Sequence, residues 1–268
     1  ATMAKVSLSW IALLFLNFPQ LSMQWMTPEK FLSRSNYQRR RCAGENHHSV
    51  LKMSSSSSSI PPSDDDAKVK AAKMASFEDA QVLGQNLATI LMESCSKGEE
   101  LPEEARNMLR ALVSTTSGAR GWFVTLLTDP DYEAIFTQPK LDASLLEALC
   151  DNPQPNIQLM TMNVAMSTAT ELVHLQNNNP EFAAGSRMTR DRSRIIVEAL
   201  IGGDDFVLPG LREELVKLRS AVEPWDINEK KKEVPPSNSN KEWVKFTKKW
   251  GYNSEQRAAI LEQLDQIL

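Results

Sequence analysis

The residues Ser114-Thr-Thr-Ser-Gly-Ala-Arg-Gly-Trp-Phe-Val-Thr-Leu-Leu-Thr-Asp-Pro130 run from small side chains into an aromatic and aliphatic block. An apolar period of 3.6 residues continues through them from Ala105 to Leu127, which predicts one long helix or two helices bent at Gly118–Gly121. Glycine destabilises a helix interior by roughly 1 kcal/mol relative to alanine, so we expect a second helix backbone to approach Gly118 and Gly121 closely, as a packing hinge. A phosphate-binding loop is the alternative, although no strand and no P-loop lysine accompany these glycines.

Helical spacing of apolar residues also extends to both sides of this central stretch. It predicts helices over 77–94 (capped by Ser76), from Pro102, over 143–150 (capped by Asp142), 157–176, 181–201, 208–222, 241–250 and 254–268. No run of alternating apolar residues is long enough to predict a strand. The expected fold class is therefore all-α: an irregular multi-helix bundle with a C-terminal helical hairpin.

The predicted helix over 157–176 is nearly uncharged, with Glu171 as its only formal charge at neutral pH. A helix that is apolar almost all round is buried on most sides. We therefore expect it to be the partner of the small residues in the central stretch. Its methionines, Met160, Met162 and Met166, are expected to fill gaps in the core, and a cofactor pocket is the weaker alternative.

The first 66 residues, here called the leader, are interpreted as a targeting sequence with two parts. Lys5 followed by the apolar run 6–18 predicts a signal peptide over 1–25, and the arginines and serines of 26–66 predict a disordered, transit-like segment. This order resembles the bipartite presequence of algae with complex plastids, although no Ala-Phe pair marks the junction. Plastid localisation is expected; secretion is the alternative.

The remaining chain is divided into a helical core over 67–223, a linker over 224–240 and the hairpin over 241–268.

Charge and cysteine content exclude several functions. Residues 1–53 carry seven basic and two acidic side chains in a chain of net charge −4, so the rest of the chain is strongly acidic. An acidic body argues against nucleic-acid binding. The cysteines, three in number, lack metal-ligand spacing, so we expect no zinc site and no disulfide framework, and we expect Cys95 and Cys150 to be buried thiols.

An arginine cluster is the most conspicuous polar pattern of the body. On a helix, Arg187, Arg190 and Arg194 share one face, and the cluster also contains Arg192. Such guanidinium groups are suited to a phosphate, a carboxylate or an acidic partner surface. The alternative is internal pairing, in which Asp191 contacts Arg187 and Arg194 while Arg194 contacts Glu198. Arg120 of the central stretch is a candidate to join the cluster in three dimensions.

Two further features of the sequence give weaker indications of function. His174, the only histidine beyond the leader, has one neighbouring carboxylate, Glu171, and is expected to be a structural residue, with no metal site and no cofactor. Trp243 and Trp250, with nearby lysines, make the last hairpin amphipathic. It is expected to cap the bundle, and peripheral contact with a membrane is the alternative. No apolar run long enough to span a membrane follows the leader.

Four segments together resemble a family of small helical proteins of cyanobacteria and plastids: 114–130, 163–169, the arginine cluster and the ending Lys249-Trp-Gly-Tyr252. The resemblance covers about residues 75–268. It implies a plastid setting and brings no catalytic residues with it.

These patterns predict a non-enzymatic interaction or assembly factor that binds a protein partner through the arginine-rich helix and the acidic surface. The alternative is a carrier or enzyme for a small anionic ligand. It requires a pocket between the central stretch and the helix over 157–176, where Arg120 or Arg190 holds the anion.

Overall fold

Helices dominate the computed structural model, which describes residues 64–203, 205–223 and 240–268. Within these residues the chain forms eleven α-helices, one short 3₁₀ turn and no strand, which confirms the all-α prediction. Residues 65–268 form one compact unit. The predicted signal peptide, most of the transit-like segment and residues 224–239 of the predicted linker over 224–240 lie outside the described residues.

The helices are numbered here in chain order. The first six are α1 (Asp64–Lys73), α2 (Phe77–Lys97), α3 (Glu103–Leu112), α4 (Thr116–Thr128), α5 (Glu133–Phe136) and α6 (Ala143–Asp151). The last five are α7 (Pro153–Gln176), α8 (Pro180–Gly202), α9 (Leu211–Val222), α10 (Lys241–Trp250) and α11 (Ser254–Ile267). Asp64–Asp66, which the sequence analysis assigned to the disordered leader, are the first residues of α1.

Short polar side chains set the beginnings of several elements where the sequence predicts them. Ser76 Oγ accepts a hydrogen bond from the backbone N–H of Asp79 at 3.1 Å, and Asp142 Oδ1 accepts one from Leu145 at 3.2 Å. Each cap satisfies a backbone donor that has no partner inside the helix. At the far end of the chain, Gly251 ends α10 in the left-handed conformation at φ 60°.

The central stretch is not bent at its glycines, so that part of the prediction was wrong. One helix ends at Leu112 and the next begins at Thr116, so the bend lies before Gly118. Thr115 begins the new helix, because its Oγ1 accepts the backbone N–H of Gly118 at 3.1 Å. Gly118 lies in the resulting corner, where a Cβ atom would come within 1.9 Å of the Leu112 carbonyl oxygen. Side-chain hydrogen bonding to the backbone therefore placed the bend.

The close helix approach predicted at Gly121 exists, but its partner is α2 and not α7. A Cβ atom on Gly121 would lie 2.5 Å from the Cβ of Ala80, and one on Gly84 would lie 3.2 Å from Thr125 Oγ1. Thr125 Oγ1 donates to the Gly121 carbonyl at 3.0 Å within its own helix. Alanine and glycine at the crossing on α2 let the two backbones approach each other closely.

Two long helices complete the surroundings of α4. The helix α7 is buried at every position from 159 to 169, and its most extensive contacts are with α8. Both α7 and α8 also contact α4, so that α4 is buried at every position from 121 to 128. The predicted burial of α7 is confirmed. No helix among the described residues has both the length and the apolar character needed to cross a membrane.

The two C-terminal helices are joined by a short turn, but each makes its main contacts with the body, so the predicted packing of these helices against each other as a hairpin is not observed. Trp243 of α10 is buried and donates from its Nε1 to Glu214 of α9 at 2.7 Å. Gln256 of α11 donates to the Ala169 carbonyl of α7 at 3.3 Å. Because Trp243 points into the protein, it supports the prediction that these helices cap the bundle.

Replacing Gly121 with alanine is expected to lower the free energy of unfolding by about 1–3 kcal/mol, because the added methyl group would force α2 and α4 apart. Gly202→Ala is the matched control, since Gly202 is a helical glycine with no atom within 4 Å of an added Cβ. It is expected to leave stability unchanged or to raise it by about 0.5–1 kcal/mol. Chemical denaturation followed by circular dichroism measures both. Equal stability of the two variants would contradict the close-packing explanation.

Candidate functional site

Arg192 is the arginine of α8 that lies inside the protein, with 2% of its surface exposed. Its Nη1 donates to the backbone carbonyls of Leu126 at 3.1 Å and Asp129 at 2.7 Å, and its Nη2 donates to Glu133 at 2.9 Å. The guanidinium also lies 5.0 Å from the ring centroid of Phe136. Arg192 therefore joins α8 to the end of α4 and to α5.

The contacts of Arg192 follow from the electrostatics of a helix end. The last carbonyls of α4 have no partner inside the helix, and they form the negative end of its dipole. A guanidinium matches this site better than an ammonium, since its planar fork donates in several directions at once. Arg192 is thus used for structure and is not available to an external ligand.

Glu171, the only charged side chain of α7, binds two further arginines of α8, Arg187 and Arg190. Arg187 Nε donates to Glu171 Oε1 at 2.7 Å, and Arg190 Nη1 donates to Glu171 Oε2. Glu171 is buried, and Arg190 also pairs with Asp191 at 2.9 Å. A buried carboxylate needs such charged donors, so this network holds α7 against α8.

Arg194 points to the C-terminal helices. Its Nη1 donates to Gln266 of α11 at 3.1 Å, and its Nε lies 3.5 Å from Glu198. The predicted pair between Arg194 and Glu198 is present, whereas the carboxylate of Asp191 pairs with Arg190 and with neither Arg187 nor Arg194. The arginines of α8 are therefore engaged within the chain, as the internal-pairing alternative describes.

Arg120 lies apart from this cluster. Its guanidinium is 5.4 Å from the ring centroid of Phe77 at the beginning of α2, and burial lowers the pKa of this group. The two carbonyls that bind Arg192 come six and nine residues later, which corresponds to about 9–13 Å along α4. Arg120 was a candidate to join the arginine cluster of α8, but its contact with Phe77 places it near the beginning of α4, away from Arg192 at the end of that helix.

His174 and the two cysteines of the body occupy half-buried positions. The imidazole of His174 lies 5.5 Å from the ring of Phe182, and burial lowers its pKa. Cys95 and Cys150 are free thiols whose pKa values are raised by burial, and they are less buried than the sequence analysis predicted. No three His, Cys, Asp or Glu side chains of the described part of the chain come together in a metal-binding arrangement.

The residues at the interface that the small-ligand alternative requires are buried. Trp122 and Phe123 of α4 are fully buried, and so are Val164 and Ala165 of α7. A cavity of about 250 Å³ lies elsewhere, between α2 and α3. We call it the α2–α3 groove. Its apolar lining consists of Leu87, Ile90, Pro102, Ala105 and Met108.

One acidic side chain lines this groove, and four more lie close to its lining residues in the chain. Glu104 and Asn86 are its polar lining residues, and Glu93, Glu99, Glu100 and Glu103 are exposed nearby in the chain. We call the five glutamates the acidic face. From Glu78 to Arg106 the chain has seven acidic side chains and two basic ones, Lys97 and Arg106. Sequence reasoning missed this surface, although that charge imbalance was a detectable signal.

The replacement Arg192→Met is expected to lower the free energy of unfolding by about 2–4 kcal/mol, because the buried carbonyl of Leu126 and the half-buried carbonyl of Asp129 lose their charged donor. Arg194→Met is the control from the same helix, and it is expected to cost about 1 kcal/mol or less because its ion pair is partly exposed. Urea unfolding monitored by tryptophan fluorescence gives both values. If Arg192→Met were as stable as Arg194→Met, Arg192 would not have the structural role assigned to it.

The comparisons with known proteins agree with the predicted family resemblance. Residues 76–267, which include α2 to α11, match the family model described as "Uncharacterised conserved protein UCP020893". Neither the curated proteins nor the solved structures provide a match to the chain. The matched region extends from the cap of α2 to the end of α11. The chain therefore belongs to the UCP020893 family of uncharacterised conserved proteins.

Proposed function

We propose that this protein is a non-enzymatic interaction or assembly factor of the plastid, which binds a protein partner through the α2–α3 groove and the acidic face. The observation that carries the proposal is the position of a partly open apolar groove beside a strongly acidic segment. Apolar surface bordered by charged residues is typical of protein interaction sites.

The arginine-rich helix, which the sequence suggested as part of the binding surface, contributes less to this proposal. Arg187, Arg190 and Arg194 already contact acidic or amide side chains of the same chain, and Arg192 is buried. A partner that bound these guanidinium groups would have to displace Glu171 or Gln266. Three glutamates of the acidic face, Glu93, Glu99 and Glu103, are exposed, so a partner can contact them without displacing a side chain of this chain.

The carrier or enzyme alternative has less support. It needs space between α4 and α7, whereas these two helices contact each other and Trp122, Phe123, Val164 and Ala165 are fully buried. The two arginines that this alternative assigns to the anion also have separate partners in the structure. Arg190 binds Glu171, and Arg120 lies beside Phe77.

Affinity purification from a plastid extract tests the proposal. The tagged chain is expected to retain a stable protein partner. Recovery is expected to fall about tenfold when Glu93, Glu99 and Glu103 are all changed to glutamine, because the charge attraction is removed. Glu213, Glu242 and Glu262 provide the control, since they are exposed on α9, α10 and α11 and their change to glutamine is expected to leave recovery intact. Copurification of a small molecule without any protein would contradict the proposal.

Plastid import is the second part of the proposal. It is supported by the signal-like and transit-like segments of the leader. Residues 3–75 fused to a fluorescent protein are expected to direct it to the plastid of an alga with complex plastids. A fusion from which residues 26–66 are deleted is the control, and it is expected to remain outside the stroma. Secretion of the complete fusion would show that the localisation is wrong.

A further inference from the structure

The α2–α3 groove has a buried floor and an accessible edge. Leu87 and Ala105 form part of the floor, with 2% and 4% of their surfaces exposed. At the edge, Met108 is half-buried and Ile90 has 37% of its surface exposed. An apolar side chain that entered the groove would therefore contact buried carbon atoms and remove Ile90 from water.

The size of the groove favours a side chain of a larger partner over a small ligand. Its volume of about 250 Å³ is below the roughly 300–1,000 Å³ that is usual for small-molecule pockets. It is sufficient for one or two aliphatic side chains. The occupant is thus expected to insert a few apolar residues and to make its other contacts on the surrounding surface.

The backbone of the groove indicates the secondary structure of that occupant. Both walls are α-helices, whose backbone N–H and C=O groups are hydrogen-bonded within each helix. An extended peptide would find no open strand edge there, and its own backbone groups would remain without partners over an apolar surface. A helical segment meets this requirement, since it satisfies its own backbone.

The charges around the groove indicate the chemistry of the occupant's polar surface. Glu93 follows Ile90 by three residues on α2 and therefore lies on the same side of that helix. Glu99, Glu100 and Glu103 are exposed where α2 ends and α3 begins. Lys68 of α1 already pairs with Glu104 at 2.7 Å, which shows that a lysine is accommodated beside the groove. Basic side chains complement this surface, whereas acidic side chains would be repelled.

We propose that the α2–α3 groove binds an amphipathic, basic helix of a partner protein. Apolar residues of that helix, spaced at i, i+3 or i+4 and i+7, enter the groove beside Ile90 and Met108. Lysine or arginine residues on its flanks pair with the acidic face. This inference rests on the proposed function and specifies the class of partner.

Three labelled peptides of equal length test the inference against the full-length chain by fluorescence anisotropy. The first peptide has leucines at helical spacing and lysines elsewhere, the second has glutamate in place of each lysine, and the third has the composition of the first with the leucine spacing scrambled. The first is expected to bind at least about tenfold more tightly than either of the others. Its affinity is expected to fall as salt is raised from about 0.05 to 0.5 M, because screening weakens the exposed charge pairs.

Two variants of α2 locate the binding. Ile90→Lys places a cation at the edge of the groove and is expected to weaken the first peptide about tenfold or more. Val82→Lys is the matched control, because Val82 is an exposed aliphatic residue of the same helix that does not line the groove. It is expected to leave the affinity within about twofold, and circular dichroism verifies that both variants keep the helical content of the parent chain.

The inference is overturned if the three peptides bind alike, if none binds, or if Ile90→Lys and Val82→Lys have equal effects. It is also overturned if the chain is a dimer that Ile90→Lys converts to a monomer, since the groove would then bind a second copy. Failure of the peptides, together with recovery of a stable partner from the plastid extract, refutes the helix model and leaves the proposed function standing. Absence of any protein partner in that extract refutes the proposed function itself.

Discussion

The close approach of α2 and α4 is the constraint on which the rest of the structure depends. Gly121 lets the two helix backbones come nearer than any larger side chain permits, and Gly84 leaves room for Thr125 at the same crossing. With one side of α4 occupied in this way, α7 and α8 cover the remaining apolar surface and bury every residue from 121 to 128. The other helices are then arranged around this buried centre, and the C-terminal pair closes the bundle on α7 and α9.

Polar groups in the interior reinforce this arrangement through particular partners. Arg192 binds the carbonyls at the end of α4, and Glu171 binds two arginines across the interface between α7 and α8. Each contact compensates the desolvation of a group that would otherwise destabilise the fold. An arginine-rich pattern that resembles a binding site in the sequence is thus mainly the means by which α8 is attached to its neighbours.

Because the arginines of α8 are paired within the chain, the interaction surface is expected on other helices. Positive groups on α8 are matched within the chain, while the acidic residues between Glu93 and Glu104 remain accessible beside an apolar groove. Apolar contact provides the main free energy of association, and the surrounding charges select the partner and its orientation. The two kinds of contact lie together on α2 and α3, which is the physical basis for the proposed binding of a basic helix.

The sequence by itself determined the helical class, most helix boundaries and the burial of α7, because periodicity and capping depend on residues close together in the chain. It also showed that Gly121 needs a closely packed neighbour. Only the tertiary structure decided that this neighbour is α2 and that Arg192 is buried at the end of α4. It likewise decided that Glu171 pairs with Arg187 and Arg190. These contacts join distant residues, and several helices have compatible surfaces, so the combined packing of the whole bundle selects among them.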